Sequence, residues 1–242
     1  SIAKGITGVR EMWGCPSLAD SFVACGDDIE RWRAELQDHS RLAPRYIMRS
    51  SFAINGEQGV PSAAPAFFKA RNADEAQALV AHHAADGVEL LKTYTNVSVA
   101  TYGALAAEAS RHGLLVAGHL PVRVPLGMAM AAGQHSVEHP RIFLFECYRG
   151  AAEFRALPDP MAAYTADMRA RFIDEHDPVR CAELMAAMAA SDTWWTPTLQ
   201  VLRMSALAGN REFREDPRRR YIPFILWAGL WQPDADRAAA HA

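Results

Sequence analysis

The chain has 242 residues, of which 50% are hydrophobic and 22% are charged, and its formal net charge is −3. A chain of this length buries a sizeable core without relying on disulfides or metals, and a single α/β barrel commonly runs to about 250 residues. The near-neutral charge argues against a nucleic-acid-binding protein that works by neutralising phosphates. No apolar run approaches the roughly 18 residues of a membrane span. We therefore expect a globular protein with no nucleic-acid partner and no membrane span.

The four cysteines, Cys15, Cys25, Cys147 and Cys181, lie far apart and follow no C-x-x-C spacing. This arrangement favours unpaired thiols in a reducing compartment over a disulfide or a zinc knot. The chain opens with Ser-Ile-Ala-Lys-Gly, which lacks both a start methionine and the charged-then-apolar leader of a signal peptide. We expect a cytoplasmic location, with a true N-terminus that precedes this sequence.

Short apolar runs alternate with longer helical patterns, separated by capping residues, glycine and proline. The pattern predicts six strands, near residues 5–12, 45–52, 88–94, 114–119, 135–139 and 193–197. It predicts helices over 27–39, 72–87, 98–113 and 125–132, and a helical region over 158–190. A loop rich in glycine, proline, alanine and serine over residues 55–65 is long enough to suggest a functional surface loop.

The repeated strand-then-helix order, with strands apolar on both faces, indicates a parallel sheet. Six such units fit either a doubly wound sheet or part of an eight-stranded barrel. The first strand contains Gly8-Val9-Arg10-Glu11, which lacks the G-x-G-x-x-G spacing of a dinucleotide-binding turn. That absence disfavours a dinucleotide-binding sheet.

Three consecutive predicted strands end on residues able to take part in metal chemistry, namely Lys92, His119 and His139. Chemistry in parallel α/β proteins takes place at the carboxyl ends of the strands. Taken singly, Lys92 is explained as a side chain that reaches solvent, and each histidine is explained as a hydrogen-bonded core residue. Their coincidence on consecutive strands favours a shared site, with Glu138 as a packing or orienting partner of His139.

The other seven histidines show no ligand pattern. His135 shares strand parity with His139 but lies about 13 Å upstream of it, at roughly 3.3 Å per residue. The remaining six are assigned to helix surfaces or to no pattern: His82, His83 and His112 within helices, and His39, His176 and His241 elsewhere.

Two histidines and a lysine suit a metal pair. Neutral imidazoles bind Zn²⁺ directly, whereas a protonated lysine repels a cation. Reaction of the neutral Lys92 amine with CO₂ would give a carbamate, an anionic group whose two oxygens can bridge two metals. Such a pair lowers the pKa of a shared water towards neutrality and polarises a carbonyl or phosphoryl oxygen.

These features resemble the amidohydrolase superfamily, specifically its imidazolonepropionase-like and prolidase-like branch. The resemblance rests on five segments spread over nearly the whole chain: GITGVREM at 5–12, GVELLKTY at 87–94, GLLVAGHLP at 113–121, AGQHSVEH at 132–139 and WTPTL at 195–199. It implies an α/β fold, a (β/α)₈ TIM barrel of the metal-dependent hydrolase type. Its metal pair would be held by H-x-H on strand 1, a carboxylated lysine on strand 4, histidines on strands 5 and 6, and an aspartate on strand 8.

On that pattern, Lys92 is the bridging carbamate, and His119 and His139 are ligands of the second metal, most often Zn²⁺. The six predicted strands then become barrel strands 2 to 7, so residues 1–242 form a partial barrel domain without strands 1 and 8. No H-x-H occurs in the sequence, and Pro233 separates Asp234 and Asp236 from the apolar stretch 224–231. The catalytic residue is therefore unknown, because the strand-8 aspartate is the family's usual general base.

The resemblance implies a metal-dependent amidohydrolase that cleaves a C–N bond in an amide, a cyclic amide or a dipeptide-like small molecule. Tyr94, two residues past Lys92, is a candidate substrate contact, although packing explains it equally well. Because half of the ligand set is missing, we expect the chain to be an internal piece of a longer enzyme, with weak metal binding and little or no turnover. Two alternatives stay open: a non-catalytic, degenerate barrel that acts as a binding module and self-associates through exposed edges, and a phosphoester or lactone hydrolase on the same metal site.

Overall fold

The computed structural model describes residues 2–14, 25–56, 68–139, 141–207, 209–224, 227–233 and 235–236. Most of the predicted loop at 55–65 lies outside the described residues, as do Cys15, Asp234 and His241. The chain forms two compact units, Ser1–Thr196 and Pro197–Ala242. A single domain over 1–242 stays a prediction.

The first unit holds every described strand and eight of the described α-helices. Its strands are β1 Gly8–Arg10, β2 Arg45–Met48, β3 Ile54–Asn55, β4 Phe68–Lys69, β5 Leu90–Thr93, β6 Leu115–Gly118, β7 Gln134–Glu138 and β8 Trp194–Thr196. Its helices are α1 Gly26–Gln37, α2 Ala73–Ala85, α3 Val99–Arg111, α4 Leu126–Ala131, α5 Arg141–Glu146, α6 Ala151–Ala156, α7 Ala166–Asp174 and α8 Pro178–Ala189, preceded by the 3₁₀ turn Ile2–Lys4. The second unit holds α9 Leu199–Ala206, α10 Arg211–Arg214, the 3₁₀ turn Pro217–Tyr221 and the π-helical turn Trp227–Trp231.

All strand pairs within the described residues are parallel. β1 pairs with β2, and a second sheet has the order β4-β3-β5-β6-β7-β8. An isolated parallel bridge between Ser50 and Leu90 connects the segment after β2 to β5. An α/β fold with parallel strands is therefore confirmed, and the order β2, β5, β6, β7, β8 follows the chain as in a barrel, although a truncated barrel is not confirmed.

The helix boundaries follow the capping signals. The Asn72 side chain accepts a hydrogen bond from the Glu75 backbone N–H at 2.9 Å, and the Ser98 hydroxyl accepts one from the Thr101 N–H at 3.1 Å. Gly87, Gly113 and Gly133 follow α2, α3 and α4 with positive φ, as the C′ role requires. The predicted region 158–190 contains two separate helices, α7 and α8, because Asp177 and Pro178 start a new helix there.

The main core lies between the sheet and helices α2 and α3. Leu91 and Val116 from the sheet pack in one cluster with Val80, Tyr102 and Leu105 from the helices. The Tyr102 hydroxyl donates a hydrogen bond to the side-chain amide oxygen Oε1 of Gln134 at 2.8 Å, so the buried phenol is satisfied. His83 also points inwards from α2 and is 4% exposed, so its predicted surface position was wrong.

The long connection between β7 and β8 carries α5 to α8 and has its own apolar cluster. Tyr148, Phe154 and Phe172 are buried there, and the Phe172 ring makes an edge-to-face contact with each of the other two rings. A disulfide joins Cys147 to Cys181 with their Cα atoms 4.7 Å apart. By loop-closure entropy, a cross-link over 34 residues stabilises the connection by roughly 3–4 kcal/mol.

The prediction of unpaired thiols was therefore wrong. Cys25 is also disulfide-bonded. The pairing could not be foreseen because Cys147 and Cys181 are far apart in sequence and meet only after α7 turns the chain back. Among the described residues, no helix is both long enough and apolar enough to cross a membrane. The cytoplasmic location stays a prediction, now without the cysteine argument.

Candidate functional site

The two faces of the parallel sheet have different roles. Leu91, Val116 and Val137 lie in apolar clusters packed against helices. Because side chains alternate along a strand, Lys92, Ser136 and Glu138 lie on the opposite face. The register pairs Lys92 with Ala117, Gly118 with Val137 and Glu138 with Thr196, so the carboxyl ends of β5 to β8 are brought side by side.

Three of the predicted site residues form a row of rings at these strand ends. The ring centroids of Tyr94 and His119 are 4.2 Å apart, and those of His119 and His139 are 4.4 Å apart. All three side chains are half-buried. Each residue comes just after its strand, so the row is made by three neighbouring strand ends.

Unusual backbone conformations place the two histidines. Gly118, the last residue of β6, has a φ of +117°, and His139 has a φ of +75°. The His139 N–H donates to the Thr196 carbonyl at 2.8 Å, and the His139 carbonyl accepts from Trp195 Nε1 at 2.8 Å. A left-handed non-glycine residue is strained and persists only where its surroundings fix it, which is common at functional sites.

Lys92 lies one strand away from His119 and is 6% exposed. Its Cγ lies 3.1 Å from the point where a Cβ on Gly118 would stand, so the lysine passes directly over the residue before His119. Its Nζ is 5.1 Å from the centre of the Trp13 ring. Burial lowers the pKa of Lys92, and the Glu11 and Glu138 carboxylates oppose that shift. Burial thus favours the neutral amine.

A charged group that the sequence analysis did not identify lies on the same face. The Arg10 guanidinium donates to Ser136 Oγ at 2.8 Å and to Glu138 Oε1 at 3.0 Å. The Ser136 hydroxyl also donates to Glu138 Oε1, at 2.6 Å. Glu138 is therefore fixed by Arg10 and Ser136, and not only a neighbour of His139. The alternation of strand β1 was the available signal, but three residues of strand are too short to show which face is inward.

A small cavity of about 30 Å³ adjoins the histidine row. Its walls include His119, Glu138, His139, Phe145 and Glu146. That volume holds about one water molecule or one ion. Glu146 is buried in an ion pair with Arg155, so the wall away from the sheet carries a second neutralised carboxylate.

The structure thus brings Tyr94, His119 and His139 together, with Lys92 on the adjoining strand beside Gly118. His135 lies within β7, four residues before His139 and outside the ring row, as its predicted distance requires. Asp236 lies in the second unit, where it accepts a hydrogen bond from Arg214 at 2.6 Å. Residues 224–231 contain a π-helical turn and no strand among their described members.

No protein-family model and no curated protein sequence matches the chain. Among solved structures, it is similar to bottromycin amidohydrolase, with 20% identity and a TM-score of 0.59 over 99% of this chain and 47% of that one. It is also similar to a protein from Bifidobacterium longum assigned as a prolidase, with 17% identity, a TM-score of 0.47 and coverage of 97% and 60%. A Xaa-Pro dipeptidase with bound methionine in its active site gives 16% identity, a TM-score of 0.48 and coverage of 97% and 49%.

The similarity to bottromycin amidohydrolase shows an amidohydrolase-like fold. The chain spans about half the length of bottromycin amidohydrolase, so it matches only part of that structure.

Proposed function

We propose that this chain carries one half of the metal centre of an amide-bond hydrolase. The observation that supports this most directly is the contact of the His119 and His139 rings at the carboxyl ends of two adjacent parallel strands. Cleavage of the C–N bond of a small amide, cyclic amide or dipeptide-like substrate is proposed for the complete barrel, of which bottromycin amidohydrolase is a structural relative.

The residues present fit a divalent cation of the Zn²⁺ type. Two half-buried imidazoles with centroids 4.4 Å apart are close enough to hold one cation after a small side-chain adjustment. The adjoining cavity leaves space for an ion or a water. When bound, such a cation would supply a water of lowered pKa and polarise the substrate carbonyl.

The chain's own residues have separate roles in this proposal. Lys92, as the neutral amine, would attack CO₂ through Nζ and lose a proton to solvent, giving a carbamate beside Gly118. Arg10 and Ser136 hold the Glu138 carboxylate, which fixes the end of β7 and with it His139. The half-buried Tyr94 ring contacts the His119 ring at an interplanar angle of 60° and would offer its outer side to a substrate.

We expect the chain with its disulfides intact to bind Zn²⁺ weakly, and to lose at least about tenfold in affinity on His119→Asn or His139→Asn. Isothermal titration calorimetry and the retained metal content measure this loss. His135→Asn is the matched control, since it changes a histidine of the same strand outside the ring row. Equal Zn²⁺ affinity in wild type and in both site variants would show that these histidines are not ligands.

The carbamate on Lys92 can be detected separately from metal binding. A carbonyl signal from isotopically labelled bicarbonate should be observed by NMR in the Zn²⁺-loaded chain and should be absent from Lys92→Arg. Hydrolysis by the complete barrel is tested on the gene region that surrounds this sequence, which must encode an H-x-H before it and an aspartate after it. If neither is encoded, the proposal of an active enzyme is contradicted. A panel of dipeptides, cyclic amides, lactones and phosphoesters then decides between C–N hydrolysis and the phosphoester or lactone alternative.

A second candidate function, a self-associating binding module, is favoured by the edge of the sheet. β8 is the last strand of the six-stranded sheet in the described residues, and its first residue, Trp194, is 70% exposed. An exposed edge strand with an aromatic side chain is a pairing surface. This function predicts a dimer or larger assembly by size-exclusion chromatography that Trp194→Lys converts to a monomer, and a monomeric wild type would contradict it.

A further inference from the structure

A second cluster of metal-binding side chains lies away from the histidine row, in the connection between β7 and β8. Cys147, His176 and Cys181 have donor atoms that all lie within 4.8 Å of one another. Among the described residues, this is the one group of three His, Cys, Asp or Glu side chains that close together. Two sulfurs and an imidazole are the ligand types that Zn²⁺ prefers, and three protein ligands leave a fourth position open to water.

The backbone holds the three residues together independently of the sulfur–sulfur bond. Asp177 N–H donates to the Cys147 carbonyl at 2.8 Å, and Cys181 N–H donates to the Asp177 carbonyl at 2.9 Å. Tyr148 and His176 form an isolated antiparallel bridge. Arg180 Nε donates to the carbonyl of Glu146, the residue before Cys147, at 2.6 Å. The Cα positions of the three residues are therefore supported by hydrogen bonds in which the two sulfurs take no part.

The cluster is also reachable from solvent. Cys147 is buried, Cys181 is half-buried and His176 is exposed, so one side of the group is closed by protein and the other is open. A disulfide cross-link by itself has no use for an adjacent imidazole, whereas a thiolate metal site does. A reductant and an ion would therefore approach from the side of the half-buried Cys181 and the exposed His176.

We propose that Cys147, His176 and Cys181 form a redox-controlled site for a thiophilic divalent cation of the Zn²⁺ class. In the oxidised chain, the sulfurs are bonded to each other and the site is closed to metal. A dithiol or phosphine reductant supplies two electrons that break the S–S bond, and two protons give two thiols. Binding of the cation then releases both thiol protons to solvent, so that two thiolates and the neutral His176 imidazole hold the metal.

Co²⁺ provides the test, because only thiolate ligands give a sulfur-to-cobalt charge-transfer band in the near ultraviolet. We expect the phosphine-reduced full chain to develop this band on titration with Co²⁺, to lose it to an excess of Zn²⁺, and to show none when oxidised. The histidine and lysine residues of the first site contain no sulfur, so this readout is independent of the proposed function.

Variants assign the band to the cluster. Cys181→Ser should abolish it, and Cys25→Ser, which changes a cysteine of the other disulfide, should keep it. Cys181→Ser also removes a cross-link, so His176→Gln is the second variant: it leaves the disulfide able to form, and it should weaken Co²⁺ binding by at least about tenfold. Circular dichroism follows the helix content of each reduced chain. The proposal is contradicted if the reduced wild type shows no band, if it unfolds and stays unfolded with Co²⁺, or if Cys181→Ser or His176→Gln binds Co²⁺ as the wild type does.

Discussion

Gly118→Ala is expected to destabilise the chain by about 3 kcal/mol or more and to displace His119. A Cβ at this position would stand 2.4 Å from the Thr93 carbonyl oxygen and 2.9 Å from the Thr93 nitrogen, both backbone atoms that cannot move aside. The φ of +117° is in addition a conformation that alanine strongly avoids. Urea unfolding followed by circular dichroism measures the loss of stability.

Gly127→Ala is the matched control for this substitution. Gly127 lies in α4, and a Cβ there would meet nothing within 4 Å. Because alanine favours the helix, this variant should be as stable as the wild type or more stable by up to about 1 kcal/mol. A Gly118→Ala chain within about 0.5 kcal/mol of the wild type would mean that the close approach of β5 and β6 is not as described.

The second large effect is a loss of stability in acid that depends on His83. Burial in α2 lowers the pKa of His83 from 6.5 to about 4, with smaller contributions from His82 and Arg49 in the same direction. In the unfolded chain the imidazole titrates near 6.5, so the folded state disfavours its protonation. The stabilisation is therefore complete above about pH 6.5 and is lost as the pH falls towards 4, amounting to about 3 kcal/mol over that window.

The variant His83→Gln removes this titration. Urea unfolding between pH 7.5 and pH 4.5 should give a free energy of unfolding that falls less steeply with decreasing pH in His83→Gln than in the wild type. His82→Gln, at the exposed neighbouring position, should keep most of the wild-type pH dependence, because burial of His83, the largest cause of its lowered pKa, is unchanged. If the free energy of unfolding of both variants has the same pH dependence as that of the wild type, His83 is not buried as a neutral imidazole.

Strong local signals allowed much of the fold to be predicted. Strands β5 to β8 lie within one or two residues of the predicted ranges, since apolar runs are bounded by glycines and caps such as Gly87 and Ser98. β3 and β4 contain two residues each, which is too short for any periodicity. Their positions depend on pairing with β5 and with each other, a tertiary effect that local sequence does not encode.

Some of the site residues could likewise be identified from local sequence, and others could not. Lys92, His119 and His139 could be selected because each ends a predicted strand. His83 could have been identified as buried, because it follows Ala76 and Val80 at the helical spacing of seven and three residues that marks the inner face of α2. Arg10 and the Cys147–Cys181 pair could not, since their partners are distant in sequence and only the folded chain brings them together.

Arg10 also constrains how the chain is made. Its partners Ser136, Glu138 and Thr196 lie 126, 128 and 186 residues further along. At a ribosomal rate of about 5–20 residues per second, Glu138 is synthesised on the order of 10 s after Arg10. The ion pair between Arg10 and Glu138 therefore cannot form until more than half of the chain has been synthesised. We expect the contacts of Arg10 with β7 and β8 to form late, when these last strands have been synthesised. By then, α2 and α3 have already been able to pack together.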